Sequence, residues 1–144
     1  MTGTLVQETR VRTVNPATGA PLASYAAHGW DEVSGALDDA QRAFGEWSRT
    51  DLAERLGLLR RVGDLLTERR DDYAALVTAE MGKPLTEARG EIDKCAFNCR
   101  VVSELAPGWL ADQPVRSGAL RSWLRFEPLG VVFAVMPWNF PFWQ

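Results

Sequence analysis

The spacing of apolar residues changes form along this chain, and each form predicts an element. Two short runs of β-favouring residues, Val11 to Val14 and Leu22 to Ala26, flank Asn15-Pro16-Ala17-Thr18-Gly19. Asn-Pro and a closing Gly are turn signals, so the runs read as a hairpin behind a polar, loosely held stretch from 1 to 10. From Asp31 to Trp47, the residues Val33, Leu37, Ala40, Phe44 and Trp47 recur at helical spacing, with Asp31 and Glu32 where the helix dipole favours acids. Asp51-Leu52-Ala53-Glu54 has the form of a capping box, and Leu52, Leu56, Leu59, Val62 and Leu66 carry a second helix to about Arg69, weakened by Gly57 and Gly63. Asp71 and Asp72 open a third through Tyr73, Leu76 and Val77, stopped by Gly82 and Pro84. A fourth runs from Leu85 to about Ala106, with Leu85, Ala88, Ile92, Cys95, Cys99 and Val102 on one face, and Pro107-Gly108 ends it.

Beyond the loop from Pro107 to Pro114 the period falls to two. Leu120, Ser122, Leu124 and Phe126 alternate with Arg121, Trp123, Arg125 and Glu127, which predicts a half-exposed antiparallel strand over 119–127. Alternation then gives way to an unbroken apolar run, Val131 to Met136, as expected for a strand buried on both faces within a parallel sheet. Pro137 cannot donate to a ladder, so the strand hands over there to Pro137-Trp138-Asn139-Phe140-Pro141. In open α/β sheets, ligands bind at that carboxyl end. Pro141 suits the first position of a helix, and Phe142-Trp143-Gln144 reads as its first turn.

Composition narrows the function. With 144 residues, 46% of them apolar, there is enough chain for one domain with a sizeable core. A net charge of −3, with acids and bases interspersed, gives no footprint for nucleic acid or an anionic membrane, so Arg121, Trp123 and Arg125 do not read as a base-stacking surface. The first residues lack the basic and apolar regions of a secretory signal, and no apolar run approaches the ~20 residues of a membrane span, which points to the cytoplasm. Cys95 and Cys99 lie four apart on a helix, with Cβ atoms ~5–6 Å apart against the ~3.8 Å a disulfide wants, so both read as reduced thiols on a packed face. With His28 distant and no second Cys/His cluster, no metal site is expected. Gly82-Lys83 does not make a phosphate loop, because the earlier Gly position holds Val77 and the Ser/Thr position holds Pro84.

Asn139 is the candidate for chemistry. An uncharged amide between an apolar strand and two prolines can donate to an oxyanion without bringing a charge of its own, and it can equally be a turn Asn bonded to its own backbone. The surrounding string, Pro-Leu-Gly-Val-Val followed by Met-Pro-Trp-Asn-Phe-Pro, resembles the segment that opens the cofactor-binding sheet of the NAD(P)-dependent aldehyde dehydrogenase family. Pro-Phe-Trp-Gln resembles the succinate-semialdehyde dehydrogenase branch, and Asn-Pro-Ala-Thr-Gly and Glu80-Met-Gly-Lys-Pro84 also have counterparts in the family.

The resemblance implies an α/β fold, mostly helical over this stretch, with an N-terminal hairpin, an antiparallel strand of an oligomerisation ribbon at 119–127 and the first strand of the cofactor sheet at 131–136. It implies that Asn139 stabilises the oxyanion formed when a cysteine thiolate adds to an aldehyde, and that Met136, Pro137 and Trp138 lie beside NAD or NADP. It places Phe97, Arg100 and Val101 near the substrate entrance, and a homo-oligomer contact at the ribbon near Trp123. The family's nucleophilic cysteine, glutamate base and lysine-bearing strand have no counterparts in these residues, so the chain reads as one partial domain, an N-terminal portion inactive by itself. The competing reading is an interaction or regulatory fragment that docks on a full-length relative or complements a second chain.

Overall fold

The computed structural model describes residues 10–144. Of the stretch expected to be loosely held, residues 1–9 lie outside the described residues, and Arg10 opens β1 (Arg10–Val14), which pairs antiparallel with β2 (Pro21–Ala26). The turn between them is an Asx turn: Asn15 Oδ1 accepts from the Ala17 and Thr18 amides at 2.9 and 3.3 Å.

The helices are α1 (Trp30–Trp47), α2 (Leu52–Glu68), α3 (Arg70–Met81) and α4 (Leu85–Trp109). The structure is therefore predominantly helical with small antiparallel pairs, as the sequence predicts. α4 is the axis on which α2 and α3 pack. Its buried residues Ala88, Ile92, Cys95, Ala96 and Ala106 are mostly small, so the helices approach closely. At Gly63 a Cβ would lie 3.1 Å from Cys99 Cβ and 3.2 Å from the Ala96 carbonyl oxygen, so the glycine that weakens α2 locally is what lets it meet α4. Ser103 Oγ, itself buried, donates to the Cys99 carbonyl at 2.6 Å and lies 3.4 Å from that of Leu56.

Four local expectations are corrected. Pro107 does not end α4, which continues to Trp109. So near the end of the helix a proline's missing N–H and its crowding of the preceding turn disturb little ladder, and Leu110 N–H still reaches the Ala106 carbonyl at 2.9 Å. Asp51 sits at the N-cap of α2 but makes no side-chain capping bond; a side chain reaches back at α1 instead, where Glu32 Oε2 accepts from the Gly29 amide at 2.7 Å. The strand expected over 119–127 shrinks to β4 (Trp123–Leu124), paired antiparallel with β3 (Gln113–Pro114) and fastened by Arg125, whose Nε and Nη2 reach the two Asp112 carboxylate oxygens at 3.0 and 2.6 Å. The run from Val131 to Met136 forms no ladder with any described residue and is not buried: Val132, Phe133 and Val135 are 80% or more exposed. A strand exists only with a partner, and no described segment lies alongside to supply one.

Candidate active site

The segment after Val135 owes its place to the connection between α3 and α4. α3 ends on Gly82, whose φ of +78° lies in the left-handed region, and its amide donates to the Thr78 carbonyl at 3.0 Å. A Cβ there would meet Pro16 Cγ at 3.0 Å, so the hairpin turn rests directly on this cap. The reversal at Gly82 sends Lys83 inward, where its ammonium forms a buried ion pair with Glu91 Oε2 of α4.

The other oxygen of that carboxylate, Oε1, accepts from the backbone amides of Phe142 at 2.9 Å and Trp143 at 3.1 Å. Gln144 N–H reaches the Phe140 carbonyl at 3.2 Å, so residues 140 to 144 close a single helix-like turn with Pro141 in its first position, and no helix follows among the described residues. Three side chains pin this turn. Phe140 lies under Lys83 Nζ at 4.1 Å from the ring centroid, and Trp143 under Lys94 Nζ at 3.6 Å. Phe142 packs on the buried cluster of Ala74, Val77 and Ala88, its ring 5.1 Å from that of Tyr73.

Asn139 immediately precedes the pinned turn and is exposed. Its side-chain amide has no hydrogen-bond partner among the described residues, unlike Asn15, which bonds its own backbone. Met136 and Trp138 are likewise exposed, at 57% and 76%. Trp138 borders a cleft of about 650 Å³ whose other walls include Pro16, Leu76, Val77, Met81 and Phe142. Among the described residues that line it Glu80 alone carries a charge, and Met136, Pro137 and Trp138 are all exposed. Phe97 and Arg100 are exposed on α4 and Val101 is half-buried.

Neither cysteine is prepared as a nucleophile. Burial pushes the Cys95 thiol up, and the Glu91 carboxylate and Cys99 push it further; burial likewise raises Cys99. Both are free. Among the described residues no group of three or more His, Cys, Asp or Glu could hold a metal, and no helix is long and apolar enough to cross a membrane.

Glu91 and Lys83 are the functional candidates that sequence reasoning passed over. Their signal is an acid at helical spacing within the apolar stripe of Ala88, Ile92 and Cys95, where burial demands a cationic partner.

A mainly helical chain thus carries an apolar strand-like run into an anchored Pro-Trp-Asn-Phe-Pro turn. Residues 4–144 match the model of the aldehyde dehydrogenase family. The chain belongs to that family. It is 46% identical over 134 residues to a probable succinate-semialdehyde dehydrogenase [NADP(+)] of Synechocystis sp., covering 93% of this chain and 30% of the relative. It is 36% identical over 141 residues to the succinate semialdehyde dehydrogenase [NAD(P)+] Sad of Escherichia coli, covering 98% and 30%. Among solved structures, the succinic semialdehyde dehydrogenase of Streptococcus pyogenes in complex with NADP+ superposes with a TM-score of 0.87 at 32% identity, covering 92% of this chain and 29% of that one. The chain thus spans less than a third of the length of these relatives.

Proposed function

We propose that this chain is the N-terminal portion of an oxidoreductase that converts an aldehyde, succinate semialdehyde, to its carboxylic acid with NAD or NADP, and that Asn139 donates to the oxyanion of the tetrahedral intermediate. The observation that carries the reading is the free, exposed amide of Asn139 at the edge of a turn held on three sides. An oxyanion donor must be fixed in place and unengaged before the reaction, since its advantage lies in not having to reorganise. The nucleophile, the base and most of the cofactor's supports belong to other parts of such an enzyme, and Met136, Pro137 and Trp138 would line only one side of the nicotinamide cofactor.

The experiment is a chimaera in which residues 1–144 replace the matching stretch of the Streptococcus pyogenes enzyme. The reading predicts NADP-dependent oxidation of succinate semialdehyde, and a folded chimaera without turnover would overturn it. The docking alternative keeps a place because of Val132, Phe133 and Val135, whose exposed, unpaired backbone and side chains suit a strand from a second chain. Restored activity on mixing residues 1–144 with a separately expressed remainder of the relative would favour it. The β3–β4 ribbon, with Trp123 53% exposed, is the surface proposed for contact between copies.

A further inference from the structure

Asn139 is exposed, yet the backbone amides of the turn after it are tied to the interior at a single carboxylate. We infer that Glu91 is a positioning residue for Asn139: it caps the turn of residues 140 to 144 from a different element, with Lys83 holding the carboxylate in place. The inference rests on the reading of Asn139 as the oxyanion donor.

The first N–H groups of a helical turn have no partner within it, and a local side chain normally serves them. Here the residue in the capping position is Phe140, which has no acceptor in its side chain. Pro141 carries no N–H, which leaves those of Phe142 and Trp143, and both go to Glu91 Oε1. Glu91 lies 51 residues earlier than Phe142, so the bond is tertiary and fixes the turn relative to α4. Its remaining oxygen is occupied by Lys83, whose ammonium also covers the Phe140 ring. One ion pair thus sets the position of the residue that directly follows Asn139, and a small displacement of a reacting group is enough to lose a large part of the rate.

The charged and titratable groups around Glu91 among the described residues are Lys83 from the α3–α4 connection and Glu87, Lys94 and the neutral thiol of Cys95 from α4; the turn contributes none. Burial alone would raise the Glu91 pKa, but the hydrogen bonds from Lys83, Trp143 and Phe142 outweigh it and hold the group below its ordinary value of 4.5. For a carboxylate with a lowered folded value, the cap is fully present above the ordinary value and is lost as pH falls through the lowered one.

The test has two arms. In the 144-residue chain, the amide proton shifts of Phe142 and Trp143 are followed by NMR against pH. The expected result is that both titrate together with a midpoint below 4.5, and that neither titrates in Glu91→Gln, which keeps the shape and an acceptor but not the charge. Amides that do not titrate in the parent, or that still titrate in Glu91→Gln, overturn the cap. In the chimaera, Glu91→Ala should lower kcat by about tenfold or more with KM for the aldehyde nearly unchanged, and Glu91→Ala/Asn139→Ala should be no slower than Asn139→Ala alone. Losses that multiply in the double variant would show Glu91 acting by another route and overturn the positioning role. An Asn139→Ala chimaera with unchanged kcat would instead overturn the reading of Asn139, and the positioning role with it, while the titration would still report the cap.

Discussion

Two asparagines, one next to a proline and the other two positions from one on either side, show how much of a residue's role depends on what its side chain leaves free. Asn15 spends its Oδ1 on the amides of Ala17 and Thr18 and so builds a turn. Asn139 engages no described residue and remains available to a ligand. The expected consequence is that Asn139→Ala in the chimaera lowers kcat by ~10²–10³, the usual loss for one oxyanion donor, while helix content by circular dichroism is unchanged. Unchanged turnover would leave Asn139 as a loop residue. Sequence alone could not separate these roles, since both asparagines are in ordinary turn company; the family string around Asn139 is what singles it out, and the proposed role rests on that string and on its unengaged amide. Cys95 and Cys99 were legible from spacing alone, because two thiols four apart on an apolar helical stripe have neither the approach for a disulfide nor a base beside them.

The helices were readable because their apolar residues recur every three or four positions, a local property. Their ends and the strands were less so. Whether Pro107 stops α4 depends on how near the last turn it falls, and whether 131–136 forms a strand depends on a neighbour that the run itself does not specify. The ribbon strand over 119–127 was overextended for the same reason, since only Trp123–Leu124 finds a partner. Gly82, by contrast, was rightly read as a stop, and the structure gives it a second duty against Pro16. Gly82→Ala should destabilise the helical core by ~1–2 kcal/mol, the penalty for a Cβ in the left-handed region, with some further loss from the Pro16 contact. A shift of the urea midpoint of helicity measures it. An unchanged midpoint would mean that the cap relaxes freely and that the hairpin turn does not bear on it.

Much of the chain's apolar surface has nothing described over it. α1 buries no residue, leaving Val33, Leu37 and Trp47 at least 40% exposed, and the run through Phe133, itself 88% exposed, is a second uncovered apolar stretch. Faces of this kind are covered in working proteins by other elements, so residues 1–144 alone should bind a hydrophobic dye strongly and self-associate with rising concentration. A monomer with a sharp cooperative melt and no dye binding would show that these faces find cover within the chain. The chemistry follows the same division. An aldehyde surrenders hydride only after a nucleophile has added to it beside a bound nicotinamide, whereas the described residues hold Asn139, the proposed oxyanion donor, beside an anchored turn, and two thiols whose pKa values are raised. The direct measurement is formation of reduced nicotinamide by purified residues 1–144 with succinate semialdehyde and either NAD or NADP, repeated with Cys95→Ser and Cys99→Ser. The predicted result is none above the buffer blank in any of the three proteins; turnover by the parent that disappears in either variant would contradict it, because one of these thiols would then be the nucleophile.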